Sequence, residues 1–410
     1  MPSEGSSASF APSASFVTSL VSERARNLPG NPFAEADARA AAAVAAGEDV
    51  IDLSKGNPDG QPPEFMKDAL AKAAYEPANY RYAPFDGKPA YLKAAAGWYE
   101  RQHGVTLDTA TQLLATSGSS VGIAIVIQAL IDPGDTVLAV EPYYPQYEGS
   151  TAVAGGRFET IPTDAAHGFL PDFDAVDPAL LDRAKLLILN YPNNPTGAVA
   201  TPELYAAAVR IAKEHHLVIM NDFAYAGLGF DESCPAISLL ETPGATDVAV
   251  ELCSLSKMYM VAGWRGGFVA GNAEVLAAAK AVHRQTTVLA STVIEDAGTA
   301  ALNSDQSSVP VLARRYRRRY EVLHDGLNAA GFRVLDSHGG LFAWMAVPDW
   351  GGSSDEFTDF LLHTAGVAVM PGSCFGASGE GYVRLSLLKP EQDLAEAVRR
   401  IAGVRRPVAR

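Results

Sequence analysis

The sequence predicts an α/β fold: a large domain built on a mostly parallel sheet between helices, followed by a smaller α+β domain. Three observations point there. Continuous apolar runs such as Leu186-Leu187-Ile188-Leu189 and Leu217-Val218-Ile219-Met220 suit strands covered by helices on both faces. Helix-like stretches such as 201–215 lie between them, giving the strand–helix alternation of parallel sheets. At 410 residues the chain exceeds what one ordinary hydrophobic core holds, so a second domain is expected.

In chain order, residues 1–27 open with a run rich in Ser, Ala and Pro and read as a flexible arm. That run has neither the basic start nor the apolar centre of a signal peptide. Residues 28–60 form an N-terminal segment expected to pack with the small domain. It holds the break Leu28-Pro29-Gly30-Asn31-Pro32, a helix over about 33–46, a short strand at 50–53 and the turn Gly56-Asn57-Pro58-Asp59-Gly60. Residues 61–300 form the large domain, with candidate strands at 113–116, 136–140, 186–189, 218–221, 249–254 and 267–270. Residues 301–410 form the small domain. A basic helix over about 311–329 leads there into strands near 332–335, 340–346 and 382–388.

The bulk chemistry excludes several functions. A formal net charge of −15 argues against nucleic acid or an anionic membrane as partner. No apolar run reaches the length of a membrane span. Cys234, Cys253 and Cys374 match no metal or disulfide spacing and read as free thiols in a reducing cytoplasm.

The informative residues follow strands. Ser254-Leu255-Ser256-Lys257, with Gly263-Trp264-Arg265 just beyond, places a lysine directly after a buried strand. Lysine is rarely buried unless paired or reacted, and an amine linked to an aldehyde resolves that cost. The two serines and Arg265 suit a phosphate. Asn190-Tyr191-Pro192-Asn193-Asn194-Pro195 follows another strand; alone it reads equally as a turn. Asp222 and Tyr225 follow a third. An acid there can keep a pyridinium nitrogen protonated, although a helix N-cap is the plainer reading of a lone Asp. Gly118-Ser119-Ser120 precedes a helix, where backbone amides cradle anions. Tyr144 offers a ring to stack on a flat cofactor, though a lone aromatic is more often core. All five elements fall at strand C-terminal ends, where open α/β sheets place ligands. Together they meet the needs of pyridoxal 5'-phosphate (PLP).

At these residues the chain resembles the fold-type I PLP enzymes, and within them the class I/II aminotransferases, in the branch holding LL-diaminopimelate aminotransferase and a bacterial alanine aminotransferase. The likeness runs from about residue 22 to 402 and includes Asp49-Val50-Ile51-Asp52-Leu53, Gly56-Asn57-Pro58-Asp59 and Pro243-Gly244-Ala245-Thr246-Asp247-Val248. The resemblance implies a seven-stranded large-domain sheet and a homodimer with shared active sites. It implies that Lys257 holds the cofactor as a Schiff base and moves the α-proton. Asp222 would then pair with the ring nitrogen, Tyr225 and Asn194 with the ring oxygen, and Tyr144 would stack on the ring. Gly118, Ser119, Ser120, Ser254, Ser256 and Arg265 would hold the phosphate, with Tyr82 reaching the neighbouring subunit's phosphate. Arg384 would grip the substrate α-carboxylate beside the Gly56 backbone, with Asn194 close by. No metal is implied.

Substrate-side positions depart from the pattern. Asn31 stands in place of a tyrosine, Met260-Val261 in place of Asn-Met, and Ala83-Pro84-Phe85-Asp86 in place of a Ser-rich turn. Residues 284–295 keep only Thr292 as an expected polar contact. The expected reaction is ping-pong transfer of an amino group from a neutral or specialised amino acid to a 2-oxo acid. One alternative is another PLP reaction, such as elimination, decarboxylation or oxidation, separable by stoichiometric keto-acid formation. The other is a sensor domain of a regulator, which needs a DNA-binding module that the residues before 28 do not suggest.

Overall fold

The computed structural model describes residues 20–404, except 231, 232 and 234. The expected arm at 1–27 therefore lies mostly outside the described residues. Its last part is ordered: Glu23–Arg26 forms one helical turn capped by Ser22, and Arg24 reaches the Val153 carbonyl.

Thirteen strands are found among the described residues. In chain order they are β1 (Ile51–Asp52), β2 (Leu113–Thr116), β3 (Thr136–Val140), β4 (Arg157–Ile161), β5 (Ala184–Leu189), β6 (Val218–Phe223) and β7 (Ala249–Ser254). β8 (Gly267–Gly271), β9 (Arg333–Val334), β10 (Phe342–Ala346), β11 (Val367–Ala368), β12 (Met370–Pro371) and β13 (Tyr382–Ser386) follow. The large sheet has the order β2-β8-β7-β6-β5-β3-β4. Its pairings are parallel except the two made by β8, which runs against both β2 and β7. The interior strands are buried along their length, as β3 and β7 illustrate. This explains their continuous apolar runs, since helices cover both faces.

In the large sheet, β4 is the strand that the apolar pattern did not predict; the two-residue strands β11 and β12 were not predicted either. β4 lies at the sheet edge with a half-exposed run, Arg157-Phe158-Glu159-Thr160-Ile161. An edge strand carries polar residues and loses the apolar signature.

The second sheet, β12-β13-β10-β9, is antiparallel and comes from the C-terminal part of the chain. β1 pairs in parallel with β11 beside it, and the helix Pro32–Ala45 shares a small apolar cluster with Leu362 and Ala368. Cys253 is buried and Cys374 partly buried; Cys234 lies outside the described residues. No helix among the described residues is long and apolar enough to cross a membrane.

Candidate active site

Strand ends build the site. Gly118, at φ +88°, ends the turn after β2 and caps the helix Ser119–Leu130. The helix begins two residues earlier than its apolar pattern suggested, so Ser119 and Ser120 supply its first amides. No side chain caps those amides, leaving the helix N-terminus as an anion site. A Cβ on Gly118 would sit 2.6 Å from Arg265 Nη2, so only glycine lets the guanidinium approach this turn. β7 delivers Ser254, whose hydroxyl accepts from the Ser256 amide at 3.1 Å. Lys257 follows in the one-turn helix Leu255–Met258.

A cavity of about 460 Å³ opens between the sheets. Gly56, Ser119, Ser120, Tyr144, Asn194, Asp222, Tyr225, Ser254, Ser256, Lys257, Arg265 and Arg384 all line it. Tyr82 does not; it is 95% exposed on the surface.

Asp222 sits inside β6 rather than after it, fully buried. The Tyr147 hydroxyl donates to its Oδ2 at 2.9 Å, while Oδ1 has no hydrogen-bond partner. Burial pushes its carboxyl up to about 6, opposed by the Tyr147 hydrogen bond. Lys257 Nζ donates to the Gly56 carbonyl at 2.6 Å. Burial, then the nearby positive charges of Arg384 and Arg265, pull its amine down to about 8.

Arg384 is 1% exposed. Its Nη1 donates to Asn194 Oδ1 at 3.0 Å and its Nη2 to the Ser54 carbonyl at 2.5 Å, while Nε has no partner. Its guanidinium carbon lies 4.0 Å from the Phe342 ring centroid, 5.1 Å from Phe375 and 5.5 Å from Phe33. A cation with no carboxylate beside it is costly at this depth, and burial lowers its pKa to about 10.

The substrate side needs correction. Asn31 does not line the cavity: its side chain caps the helix Pro32–Ala45, accepting from the Phe33 and Ala34 amides. An Asn before a proline at the first helical position has this local use. Met260 turns its sulfur toward Gly60 instead, and Val261 is core. Thr292 is buried at the start of the helix Thr292–Leu302, and Phe85 is exposed; neither lines the cavity within this chain. Arg284 spends its charge on Asp86 at 2.8 Å. The wall is formed instead by Phe33, Ala36, Asp37, Lys55, Asn57 and Met370. The helical spacing of 33, 36 and 37 could have signalled one shared face.

The family model for aminotransferase class I and II matches residues 48–401. The chain belongs to the class I and II aminotransferases. Two relatives agree. The L-glutamine–4-(methylsulfanyl)-2-oxobutanoate aminotransferase of Bacillus subtilis is 39% identical over 376 residues, 92% of this chain and 94% of the relative. An LL-diaminopimelate aminotransferase of Desulforudis audaxviator is 40% identical over 381 residues, 93% and 97% of the two chains. Among solved structures, substrate-bound BacF from Bacillus subtilis superimposes with a TM-score of 0.89 at 34% identity, covering 93% of this chain and 97% of that one. This aminotransferase is thus an enzyme that moves an amino group between an amino acid and a 2-oxo acid. The family works with PLP, and the residues here fit that group. The unpartnered Asp222 oxygen suits a ring N–H, and the glycine-floored turn against Arg265 suits a phosphate.

Proposed function

We propose that this cavity holds PLP on Lys257 and exchanges amino groups, by a ping-pong sequence, between amino acids with neutral or basic side chains and 2-oxo acids. One observation carries the reading. The amine of Lys257, the open oxygen of Asp222 and the buried, carboxylate-free Arg384 all line one cavity. Gly118, Ser119, Ser120, Ser254, Ser256 and Arg265 would hold the phosphate, Tyr144 the ring face, and Asp222 the ring nitrogen. Asn194 and Tyr225 would hold the ring oxygen; Asn194 gives its carbonyl to Arg384, which leaves its amide end as a donor. When bound, PLP supplies an electron sink for the pair left on the substrate α-carbon.

The protein's own groups do the rest. Arg384 binds the α-carboxylate through its planar fork and so fixes the α-carbon beside Lys257. With its amine lowered to about 8, Lys257 can take up and return the α-proton near neutral pH. The carbonyl of Gly56, which accepts from Nζ, orients that amine. Apart from Lys257, Arg265 and Arg384, which the cofactor and the α-carboxylate would use, the cavity wall offers no unpaired cation for a distal carboxylate among the described residues. Lys55 is paired with Asp52 at 3.0 Å and Asp37 at 3.7 Å, and Arg284 with Asp86. A desolvated carboxylate without a partner is costly, which disfavours aspartate as donor. We further propose a homodimer in which Tyr82 reaches the partner's phosphate; its exposure beside exposed Tyr80 and Phe85 supports this.

Borohydride reduction followed by peptide mapping tests the cofactor reading; an adduct on another lysine rejects it. Half-reaction spectra with alanine, methionine, arginine, LL-diaminopimelate and aspartate test the pocket. A clear preference for aspartate overturns the side-chain reading and leaves the cofactor reading intact.

A further inference from the structure

We propose that Tyr147 is a positioning residue that aims the Asp222 carboxylate into the cavity and keeps it ionised. This rests on the reading of Asp222 as the partner of the cofactor's ring nitrogen.

Tyr147 lies on the helix Gln146–Ala154 and is 2% exposed. It touches two cavity-lining groups at once. Its hydroxyl donates to Asp222 Oδ2 at 2.9 Å. Its ring meets that of Tyr144 nearly edge-on, with centroids 5.7 Å apart and planes at 79°. The Tyr147 carbonyl in turn accepts from the Thr151 hydroxyl at 2.8 Å, which fixes the turn of helix that carries it. Holding Oδ2 leaves Oδ1, the oxygen without a partner, as the one free to meet a ligand. The hydrogen bond thus decides which oxygen faces the cavity.

The surroundings of Asp222 make that bond matter for charge as well. The groups that face it are Lys257, a cation, and Tyr144, Tyr225 and Cys253, which are neutral. The Ala224 amide beside it also favours the charged form. Once the Lys257 amine is committed to the cofactor, the Tyr147 hydroxyl remains as the donor that holds the carboxylate, with the Ala224 amide nearby. A hydrogen bond to the charged form favours that form. Without the hydroxyl, the buried carboxyl binds a proton more readily and so draws the shared proton away from the ring nitrogen.

The test is Tyr147→Phe in the cofactor-loaded protein, with Tyr143→Phe as control. Tyr143 sits four residues earlier, just ahead of the helix, and its hydroxyl donates to Glu148 at 3.0 Å rather than to Asp222. Two readouts other than turnover are taken: the pH midpoint of the visible band of the bound cofactor, and the dissociation constant of the cofactor. With the ring nitrogen less firmly protonated, the Lys257 nitrogen should keep its proton to higher pH, so the midpoint should move upward. Dissociation should become about tenfold easier, the size of one charge-assisted hydrogen bond. Tyr143→Phe should change neither. In an Asp222→Asn background, adding Tyr147→Phe should produce no further change in dissociation, because the two residues act through one contact. The proposal fails if Tyr147→Phe lowers only the melting temperature and leaves both readouts unmoved. It also fails if the hydroxyl costs the same tenfold in the Asp222→Asn background. A wild-type protein that shows no visible band with PLP would bring down the cofactor reading itself, an outcome separate from either of these.

Discussion

Replacing Arg384 with lysine separates recognition of the amino-acid backbone from recognition of its side chain. Two of the five guanidinium N–H groups are engaged, by Asn194 and the Ser54 carbonyl, and Nε is open. Three N–H groups thus remain for a carboxylate, enough for a two-point grip. Arg384→Lys keeps a cation but loses the fork. One charge-assisted hydrogen bond is worth about 1.5–3 kcal/mol. Loss of the enclosing rings, with Phe342 at 4.0 Å, adds about 1 kcal/mol at a desolvated site. The sum, about 2.5–4 kcal/mol, corresponds to binding weakened roughly 70- to 900-fold. The assay is an equilibrium spectral titration of the cofactor-loaded enzyme with α-methyl amino acids, which bind but have no α-proton to lose. Alanine, methionine and arginine analogues should weaken by a common factor, since the contact lies on the shared part of the ligand. A loss confined to one side chain, or one below about threefold, would refute the assignment of Arg384 to the α-carboxylate.

Three further outcomes are expected. In apoprotein, the rate of cofactor attachment should rise with pH and level off above a midpoint near 8, because the neutral amine of Lys257 reacts and burial lowers its pKa to about 8; a midpoint near the ordinary lysine value would contradict the burial argument. Glu251→Gln should lower the melting temperature by on the order of 5 °C. The fully buried carboxylate accepts from Tyr99, Asn221, Ser238 and the Leu239 amide, and a glutamine NH2 in place of either oxygen would face two of these donors; an unchanged melt would show that the network relaxes freely. Mixing Tyr82→Phe with Lys257→Ala chains should generate heterodimers with one site free of both changes, so activity should rise on subunit exchange; activity that merely tracks the fraction of Tyr82→Phe chains would argue against shared sites.

How much of this was legible in the sequence depends on where each residue gets its meaning. Lys257, Asp222, Asn194 and the serines at 119, 120, 254 and 256 stand at the ends of buried strands, and a strand's apolar run is visible without a structure. Their convergence on one cavity follows from the parallel sheet that those runs imply. Tyr147 gave no such signal, because an aromatic in the first turn of a helix reads as core, and its hydroxyl finds Asp222 only through tertiary packing. The Ser54 contact to Arg384 is made by a backbone carbonyl, which any residue could supply. Asn31 misled for the opposite reason. Its place in a family pattern suggested substrate contact, while its immediate neighbours, a proline and a helix, already specified a cap.

β8 is the strand that runs against its neighbours, and the layout of the site follows from it. Gly267 at its start lies opposite both Thr116 and Ser254, so Arg265, two residues earlier, emerges level with the ends of β2 and β7. Had β8 run the other way, its five residues would have carried Arg265 about 17 Å to the far rim of the sheet. The inversion makes the segment from Ser254 to Gly267 a single closed loop that carries the reactive amine and the phosphate anchor together. Tilting or shifting that loop moves both at once and preserves their spacing. Adaptation to a new amino donor is thereby channelled away from the loop and toward the helix of Phe33 and Asp37, where a substitution can reshape the cavity without disturbing the anchorage.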